Sequence, residues 1–166
     1  MRKIRQNDKT RSIPIIMLTA RGEEDDQVQG FEAGADVYVA HPPSPRALMA
    51  RIKALLRRQD SEVSGGETLS AGRMQLNLCS HRFSVDNHEV KLGPTEFKLV
   101  HYFMTHANRV FSRAQLLDHV WGENIIVEER TVDVHIRRLR KLLEPEGVAN
   151  YIQTIRGSGY RFSATE

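Results

Sequence analysis

The chain has 166 residues, of which 40% are hydrophobic, enough for one ordinary domain or two small domains with packed cores. A single cysteine, Cys79, excludes an internal disulfide, and we find no membrane-spanning run and no signal peptide, so we expect a cytoplasmic protein without a membrane partner. The net charge of +3 lies in the first sixty residues, so any polyanion-binding surface must come from local clustering of charge.

Residues 1–58 alternate between strand and helix patterns, which predicts a parallel sheet. Two parallel strands are not expected to be stable alone, and the apolar run from Ile15 to Leu18 would then be an exposed patch. We therefore expect this segment to be loosely ordered or to associate with itself or another chain. The predicted elements are a strand at 12–21, an acidic helix at 22–33, a strand at 36–40 and a helix at 45–58 that buries Leu48, Ile52 and Leu55.

Residues 59–67 have the composition of a linker. They contain one apolar residue and two adjacent glycines among polar and acidic residues. We therefore divide the chain into an N-terminal part at 1–58 and a C-terminal domain at 68–166.

The C-terminal domain begins with patterns typical of short antiparallel strands. Apolar residues alternate with polar ones on both sides of the turn-forming pair Asp86 and Asn87. The alternating positions are Met74, Leu76, Leu78, Phe83, Val85, Val90 and Leu92.

Two helices are predicted next from their start signals. Pro94 fits the first position of a helix, and Glu96 can reach back to its free amides. Ser112 and Gln115 have the spacing of a capping box, which opens the second helix. The side chains expected to be buried are Phe97, Val100, Phe103, Met104, Leu116, Leu117 and Val120.

The third helix, at 130–143, is amphipathic, with one apolar stripe and one basic face. Only Asp133 interrupts the basic face, whereas a helix that is merely solvated usually mixes Glu with Lys. A hairpin with Arg156 beside Gly157 and Gly159 follows, and these glycines allow a tight turn. The apolar stripe is Val132, Ile136, Leu139 and Leu143, and the opposite face is Thr131, Val134, His135 and Arg138, flanked by Arg130, Arg137, Arg140 and Lys141.

Five motifs, taken in their order along the chain, resemble the effector domain of the OmpR/PhoB response regulators. The resemblance spans 68–163 and implies an α+β winged helix-turn-helix domain that binds double-stranded DNA at tandem repeats. It further implies a transcription regulator of a two-component phosphorelay system of the phosphate-regulon type, with no enzymatic activity and no cofactor. The motifs are Gly-Pro-Thr-Glu-Phe-Lys-Leu-Val (93–100), Ser-Arg-Ala-Gln-Leu-Leu (112–117), Val-Trp-Gly (120–122), Arg-Thr-Val-Asp-Val-His-Ile-Arg-Arg-Leu-Arg-Lys (130–141) and Arg-Gly-Ser-Gly-Tyr-Arg-Phe (156–162).

The resemblance also implies roles for individual residues at the DNA. Helix 130–143 would enter the major groove, where Arg138 would contact a base and Val134 would make apolar contact, while Arg156 on the wing at 152–163 would enter the minor groove. The remaining predicted DNA-binding residues, most of them at the sugar-phosphate backbone, are Arg113, Arg130, Thr131, His135, Arg137, Arg140, Thr154 and Tyr160.

The residues after the second helix have two interpretations. By resemblance, Trp121, Gly122 and Glu123 match a loop that contacts the sigma subunit of RNA polymerase. A lone Trp at a helix end is equally compatible with packing. We expect no metal site, because His101, His106, His119 and Cys79 lack the spacing of metal ligands.

Residues 1–58 resemble the C-terminal half, strand four to helix five, of the α/β (flavodoxin-like) receiver of the same family. Thr19 and Tyr38 match its switch residues, and His41 stands where receivers carry a lysine before a proline. No strand with a phosphoacceptor aspartate precedes them, so we expect a chain that is not phosphorylatable as given. Asp8, Asp25, Asp26 and Asp36 are interpreted as surface or turn residues.

The family's dimerisation face is altered in the same segment. Arg51 and Asp36 match its charged positions, whereas Gln27, Val37 and Ala47 replace charged partners. We therefore expect weak or altered self-association through 22–58.

The alternative to a DNA-binding regulator is a receiver-derived interaction module, or a remnant without regulated DNA binding.

Overall fold

The computed structural model describes residues 1–7, 9–20, 24–56, 68–122 and 128–164. The linker predicted at 59–67 lies outside the described residues. Within the described ranges, no helix combines the length and the apolar character needed to cross a membrane.

The N-terminal segment contains a two-stranded parallel sheet. Strands β1 and β2 pair with Ile16 opposite Val37, as the alternating pattern predicted. Helix α1 was not among the predicted elements. The elements are α1 (Arg2–Gln6), β1 (Ile16–Thr19), α2 (Glu24–Glu32), β2 (Val37–Ala40) and α3 (Pro45–Leu56).

A four-stranded antiparallel sheet opens the C-terminal domain, in the order β3-β4-β5-β6. The predicted turn is confirmed, because Asp86 and Asn87 adopt φ angles of 48° and 68°, a region that Asp and Asn tolerate. Strand β3 was not predicted. The strands are β3 (Thr68–Ala71), β4 (Met74–Asn77), β5 (Arg82–Val85) and β6 (His88–Glu89).

Three helices and a three-stranded sheet complete the winged helix. The capping box is confirmed, since Ser112 Oγ accepts from the Gln115 amide at 3.2 Å and the Gln115 side chain accepts from the Ser112 amide at 2.9 Å. The sheet order is β7-β9-β8, so the hairpin pairs with the short strand before α5. The elements are α4 (Pro94–Thr105), β7 (Val110–Phe111), α5 (Arg113–Trp121), α6 (Arg130–Leu143), a 3-10 turn (Ala149–Tyr151), β8 (Ile152–Ile155) and β9 (Gly159–Phe162).

The predicted apolar faces of the three helices form the core of this domain. Each of these side chains is buried, which confirms the helical periodicity as the signal for the core. The confirmed positions are Phe97, Val100, Phe103, Met104, Leu116, Leu117, Val120, Val132, Ile136, Leu139 and Leu143.

The N-terminal segment packs onto the C-terminal domain. Val37, Val39 and Leu55 belong to the same apolar cluster as the winged-helix core, and Ile16 packs against that cluster. Intramolecular packing therefore covers part of the surface that a lone sheet would expose, and the expectation that the segment is loosely ordered, or associates with itself or another chain, stays a prediction. Leu18 remains 48% exposed.

Candidate nucleic-acid interface

Helix α6 is anchored by its buried apolar stripe, which leaves the opposite face for other contacts. In this structure helix α2 and strand β2 lie against that face. Val134 is buried in a cluster with Phe31, Ala35 and Tyr38. The ring of Phe31 lies edge-on to the ring of His135, with 5.4 Å between centroids. The face of α6 that was predicted to read DNA is therefore covered. Thr131, on the same face, is also buried.

Arg138, the predicted base-reading residue, is hydrogen-bonded to the end of α2. Its Nη1 donates to the carbonyl of Phe31 at 2.8 Å, and its Nη2 lies 3.4 Å from Glu96 Oε2. The last carbonyls of a helix lack partners within the helix and carry partial negative charge, and α2 has no basic residue in its own last turn. Arg138 supplies that missing cation.

Under Arg138 lies a fully buried pair, His135 and Glu96. Both side chains are 0% exposed, and His135 Nδ1 lies 2.8 Å from Glu96 Oε1. Burial alone would raise the pKa of Glu96, but the hydrogen bond from His135 and the charges of His135 and Arg138 lower it to about 2. In this conformation His135 is a core residue and is not available to a phosphate. As predicted, the Glu96 carboxylate accepts from a free amide of α4, its own, but it is also engaged by His135 and Arg138 of α6.

We expect the Glu96 carboxylate to make the free energy of unfolding depend on pH in the acid range. The pKa of Glu96 is about 2 in the folded chain against an ordinary 4.5, so its stabilisation is complete above pH 4.5 and is lost as the pH falls toward 2. The Glu96→Gln variant should be less stable at pH 7 by about 3 kcal/mol, and this difference should shrink in acid. Urea unfolding at stepped pH measures it. The exposed Glu144→Gln is the control, and an equal Glu96→Gln deficit at pH 7 and pH 2 would contradict the expectation.

Asp36 is a buried junction between the two parts of the chain. Its Oδ2 accepts from Arg5 Nη2 at 2.5 Å and from the Ile15 amide at 2.7 Å, and its Oδ1 accepts from Thr95 Oγ1 at 2.7 Å. The prediction of a surface or dimer-face residue is therefore wrong for Asp36. A carboxylate leaves water only when it is paired and hydrogen-bonded, and these three donors meet that requirement. Sequence reasoning missed this role because the donors lie far apart along the chain.

Trp121 packs inside the same junction. The side chain is buried, its ring lies 5.2 Å from that of His135, and its Nε1 donates to the Asp36 carbonyl at 3.1 Å. The packing interpretation of Trp121 therefore holds in this conformation. Gly122, with φ of 107°, is buried and ends α5. Glu123 lies outside the described residues.

Three other predicted arginines are exposed. Arg137 is 82% exposed, and its Nη1 lies 3.7 Å from Oε1 of Glu32 in α2, while Arg130 and Arg156 are also exposed. At the base of the wing, Gly159 has φ of 131°, and an added Cβ would lie 2.0 Å from the Phe111 carbonyl oxygen, so the turn requires glycine there. The other predicted contacts, Arg113, Arg140, Thr154 and Tyr160, lie together beside Asp133.

The receiver-like residues do not form one site. The Thr19 carbonyl accepts from the His41 amide at 2.7 Å, and the bond from His41 to Pro42 is cis. His41 is exposed, whereas Tyr38 is buried beside Phe31. Two members of the expected dimerisation face are also unavailable, because Asp36 and Val37 are buried. In the described part of the chain, no group of three or more His, Cys, Asp or Glu is placed to hold a metal.

Comparison with known proteins covers both parts of the chain. The family model described as "Transcriptional regulatory protein, C terminal" matches residues 87–162. The phosphate regulon transcriptional regulatory protein PhoB of Shigella flexneri is 55% identical over 163 residues, or 98% of this chain and 71% of that protein. A solved structure of a RitR mutant has a TM-score of 0.70 at 28% identity, covering 92% of this chain and 67% of that one. The Klebsiella pneumoniae RstA DNA-binding domain, solved in complex with the RstA box, has a TM-score of 0.53 at 29% identity, covering 60% of this chain and 99% of that one.

Proposed function

Because this chain belongs to the OmpR/PhoB family of response regulators and is a sequence-specific DNA-binding regulator of the two-component kind, we propose that α6 reads the major groove while the β8–β9 wing enters the minor groove. One observation carries the proposal. Arg113, Arg140, Thr154 and Tyr160 come from four different elements, yet they meet at one surface beside the exposed cations of α6. Phosphate contacts made there would fix the register of α6 on the duplex.

The proposed base contacts follow from side-chain chemistry. Arg138 would donate two hydrogen bonds to a guanine edge, and Val134 would touch a thymine methyl group. Arg156, exposed at the wing tip, would enter a narrow A·T-rich minor groove, where negative potential is concentrated.

We also propose that the described conformation is a closed form in which α2 competes with DNA for α6. Arg138 cannot reach a base while it donates to the Phe31 carbonyl, and Val134 cannot reach one while it is buried against α2. DNA binding then requires α2 to leave. The apparent affinity equals the intrinsic affinity multiplied by the open fraction of the population.

The decisive experiment is a titration on two duplexes at several salt concentrations. The preferred duplex is first selected by the chain from a randomised library, and a scrambled duplex of equal length is the comparison. We expect tighter binding to the selected duplex and a steep loss of affinity with salt on both. Equal affinity for all duplexes would leave the interaction-module alternative as the better account.

For the wing, we predict how the loss of the Arg156 side chain changes the affinity for DNA. Arg156→Ala should weaken binding to duplexes with an A·T-rich segment beside the major-groove site by about three- to tenfold, and binding to G·C-rich segments much less. Fluorescence anisotropy with a matched pair of duplexes measures the difference. Arg82→Ala, which removes an exposed arginine from the other antiparallel sheet, is the control and should change neither affinity. The same loss on both duplexes would assign Arg156 to the phosphates.

Two partner proposals extend this function. Contact with the sigma subunit of RNA polymerase would require the closed form to open, because Trp121 is buried within it. Binding at tandem repeats would place two copies side by side. Self-association through 22–58 stays a prediction, and with Asp36 and Val37 buried it would depend on exposed apolar residues of α3, Met49 and Leu56.

A further inference from the structure

Asp133 is an acidic residue in the surface that we propose to meet DNA phosphates. Its side chain is 38% exposed and lies in the first turn of α6, among arginines. A carboxylate in that position should repel the phosphate backbone. Its presence needs a reason that outweighs the repulsion.

One oxygen of Asp133 joins three elements of the DNA-facing surface. Asp133 Oδ1 accepts from Arg113 Nε of α5 at 2.7 Å and from the Tyr160 hydroxyl of β9 at 2.6 Å. Burial raises the pKa of Tyr160 and the hydrogen bond to Asp133 raises it further, so the hydroxyl stays a donor at neutral pH. The carboxylate thereby fixes the start of α5 and the wing relative to α6.

The Tyr160 ring in turn orders two guanidinium groups. Arg113 lies 5.2 Å and Arg140 5.7 Å from the centroid of this ring, distances typical of cation–π contacts. Arg140 also donates to the Ile152 carbonyl at 2.8 Å and to Thr154 Oγ1 at 2.8 Å. Two long, flexible cations are therefore held in defined positions before any DNA arrives.

We propose that Asp133 is a positioning residue for phosphate recognition, which holds Arg113 and Tyr160 in the geometry that contacts the DNA backbone. The inference rests on the proposed function and adds a residue that does not itself touch DNA. Ordering a flexible side chain on binding lowers affinity, so a residue that orders it beforehand raises affinity. For Asp133 this gain outweighs the repulsion between one half-exposed carboxylate and the phosphates, which salt screens.

A simpler role for Asp133 would be its charge at the N-terminus of α6, where acidic residues stabilise the helix dipole. The two roles make different demands on the side chain. The dipole needs the charge, whereas Arg113 and Tyr160 need an acceptor oxygen in the same place. Asparagine keeps the acceptor and removes the charge, so it separates the two roles.

The test measures affinity and its salt dependence for the full chain and its variants on the selected duplex. Asp133→Ala should weaken binding about five- to tenfold, although it removes a negative charge. Its slope of log affinity against log salt should fall by about one unit, because one phosphate contact is no longer made. Asp133→Asn should bind within about twofold of the unchanged chain or more tightly, because an amide oxygen still accepts both hydrogen bonds.

Two further variants make the result specific. The loss of affinity caused by Asp133→Ala should be smaller in the Arg113→Ala background than in the unchanged chain, since one of the two groups that Asp133 holds is then already absent. Glu129→Ala removes an exposed acid near the same end of α6, and we expect unchanged or tighter binding. Circular dichroism reports whether each variant keeps its helices.

The outcomes separate this inference from the proposed function. If the unchanged chain does not prefer the selected duplex, the proposed function falls and this inference with it. If the chain shows that preference but Asp133→Ala binds as tightly as Glu129→Ala, only the positioning role is overturned. Should Asp133→Ala fail to fold, Asp133→Asn still decides, because weakened binding by a folded Asn variant would contradict the acceptor role.

Discussion

Replacing Phe31 with aspartate is expected to raise the affinity of the chain for its selected duplex by about ten- to hundredfold. Phe31 is buried against His135 and Val134 of α6 and is central to the contact that closes the reading face. An aspartate there would lose the contacts of the buried ring with His135 and Val134 and would place a desolvated carboxylate in an apolar cluster, which costs several kcal/mol and is relieved when α2 leaves α6. Anisotropy titration of the variant beside the unchanged chain measures the gain.

Leu18→Asp is the matched control for this experiment. Leu18 is an apolar residue of the same N-terminal segment, but it is 48% exposed and is not part of the cluster at α6. We expect unchanged affinity from this variant. If Phe31→Asp remains folded and binds no more tightly than the unchanged chain, α2 does not compete with DNA, and the closed form is not inhibitory.

Replacing Arg138 with alanine is expected to remove most of the preference for the selected duplex. The ratio of its affinities for the selected and scrambled duplexes should fall by about ten- to hundredfold, because a good bidentate arginine contact discriminates by about 1–3 kcal/mol. Affinity for the scrambled duplex should hold or rise, since the variant also loses the hydrogen bond that ties α6 to the Phe31 carbonyl. Titrations on both duplexes at one salt concentration measure the ratio.

Arg137→Ala is the control for Arg138, because the neighbouring side chain is 82% exposed and is proposed to contact phosphate. It should weaken binding to both duplexes by the same factor, since phosphate contacts carry no sequence information. An unchanged ratio in Arg138→Ala would assign the base contact to another residue.

Local patterns predicted the winged helix well, because its signals lie within single elements. The stripe from Val132 to Leu143 follows helical spacing, and the capping box of Ser112 and Gln115 is a contact across three residues. The wing glycines fix a turn within a few residues. Each of these features is determined by neighbours in sequence, so a single chain suffices to recognise it.

The closed face could not be predicted in the same way, because periodicity shows that a face is apolar but not what covers it. Val134 on the basic side of α6 is compatible both with a thymine methyl group and with Phe31 of another helix. His135 and Glu96 are equally ambiguous, since each residue type is common on helix surfaces. Their pairing depends on how α4 and α6 cross, which no motif records.

The junction at Asp36 also bears on how the chain unfolds. Its donors come from α1, from the residue before β1 and from α4, while its carbonyl accepts from Trp121 at the end of α5. Detaching the N-terminal segment would break two of these bonds, from Thr95 to the carboxylate and from Trp121 to the carbonyl, whereas Arg5 and Ile15 would leave together with Asp36. The two lost hydrogen bonds give this opening a cost. The two parts that composition separates at 59–67 are therefore coupled, and this cost, together with the apolar contacts of Val37, Val39 and Leu55, limits the open fraction that is available to DNA.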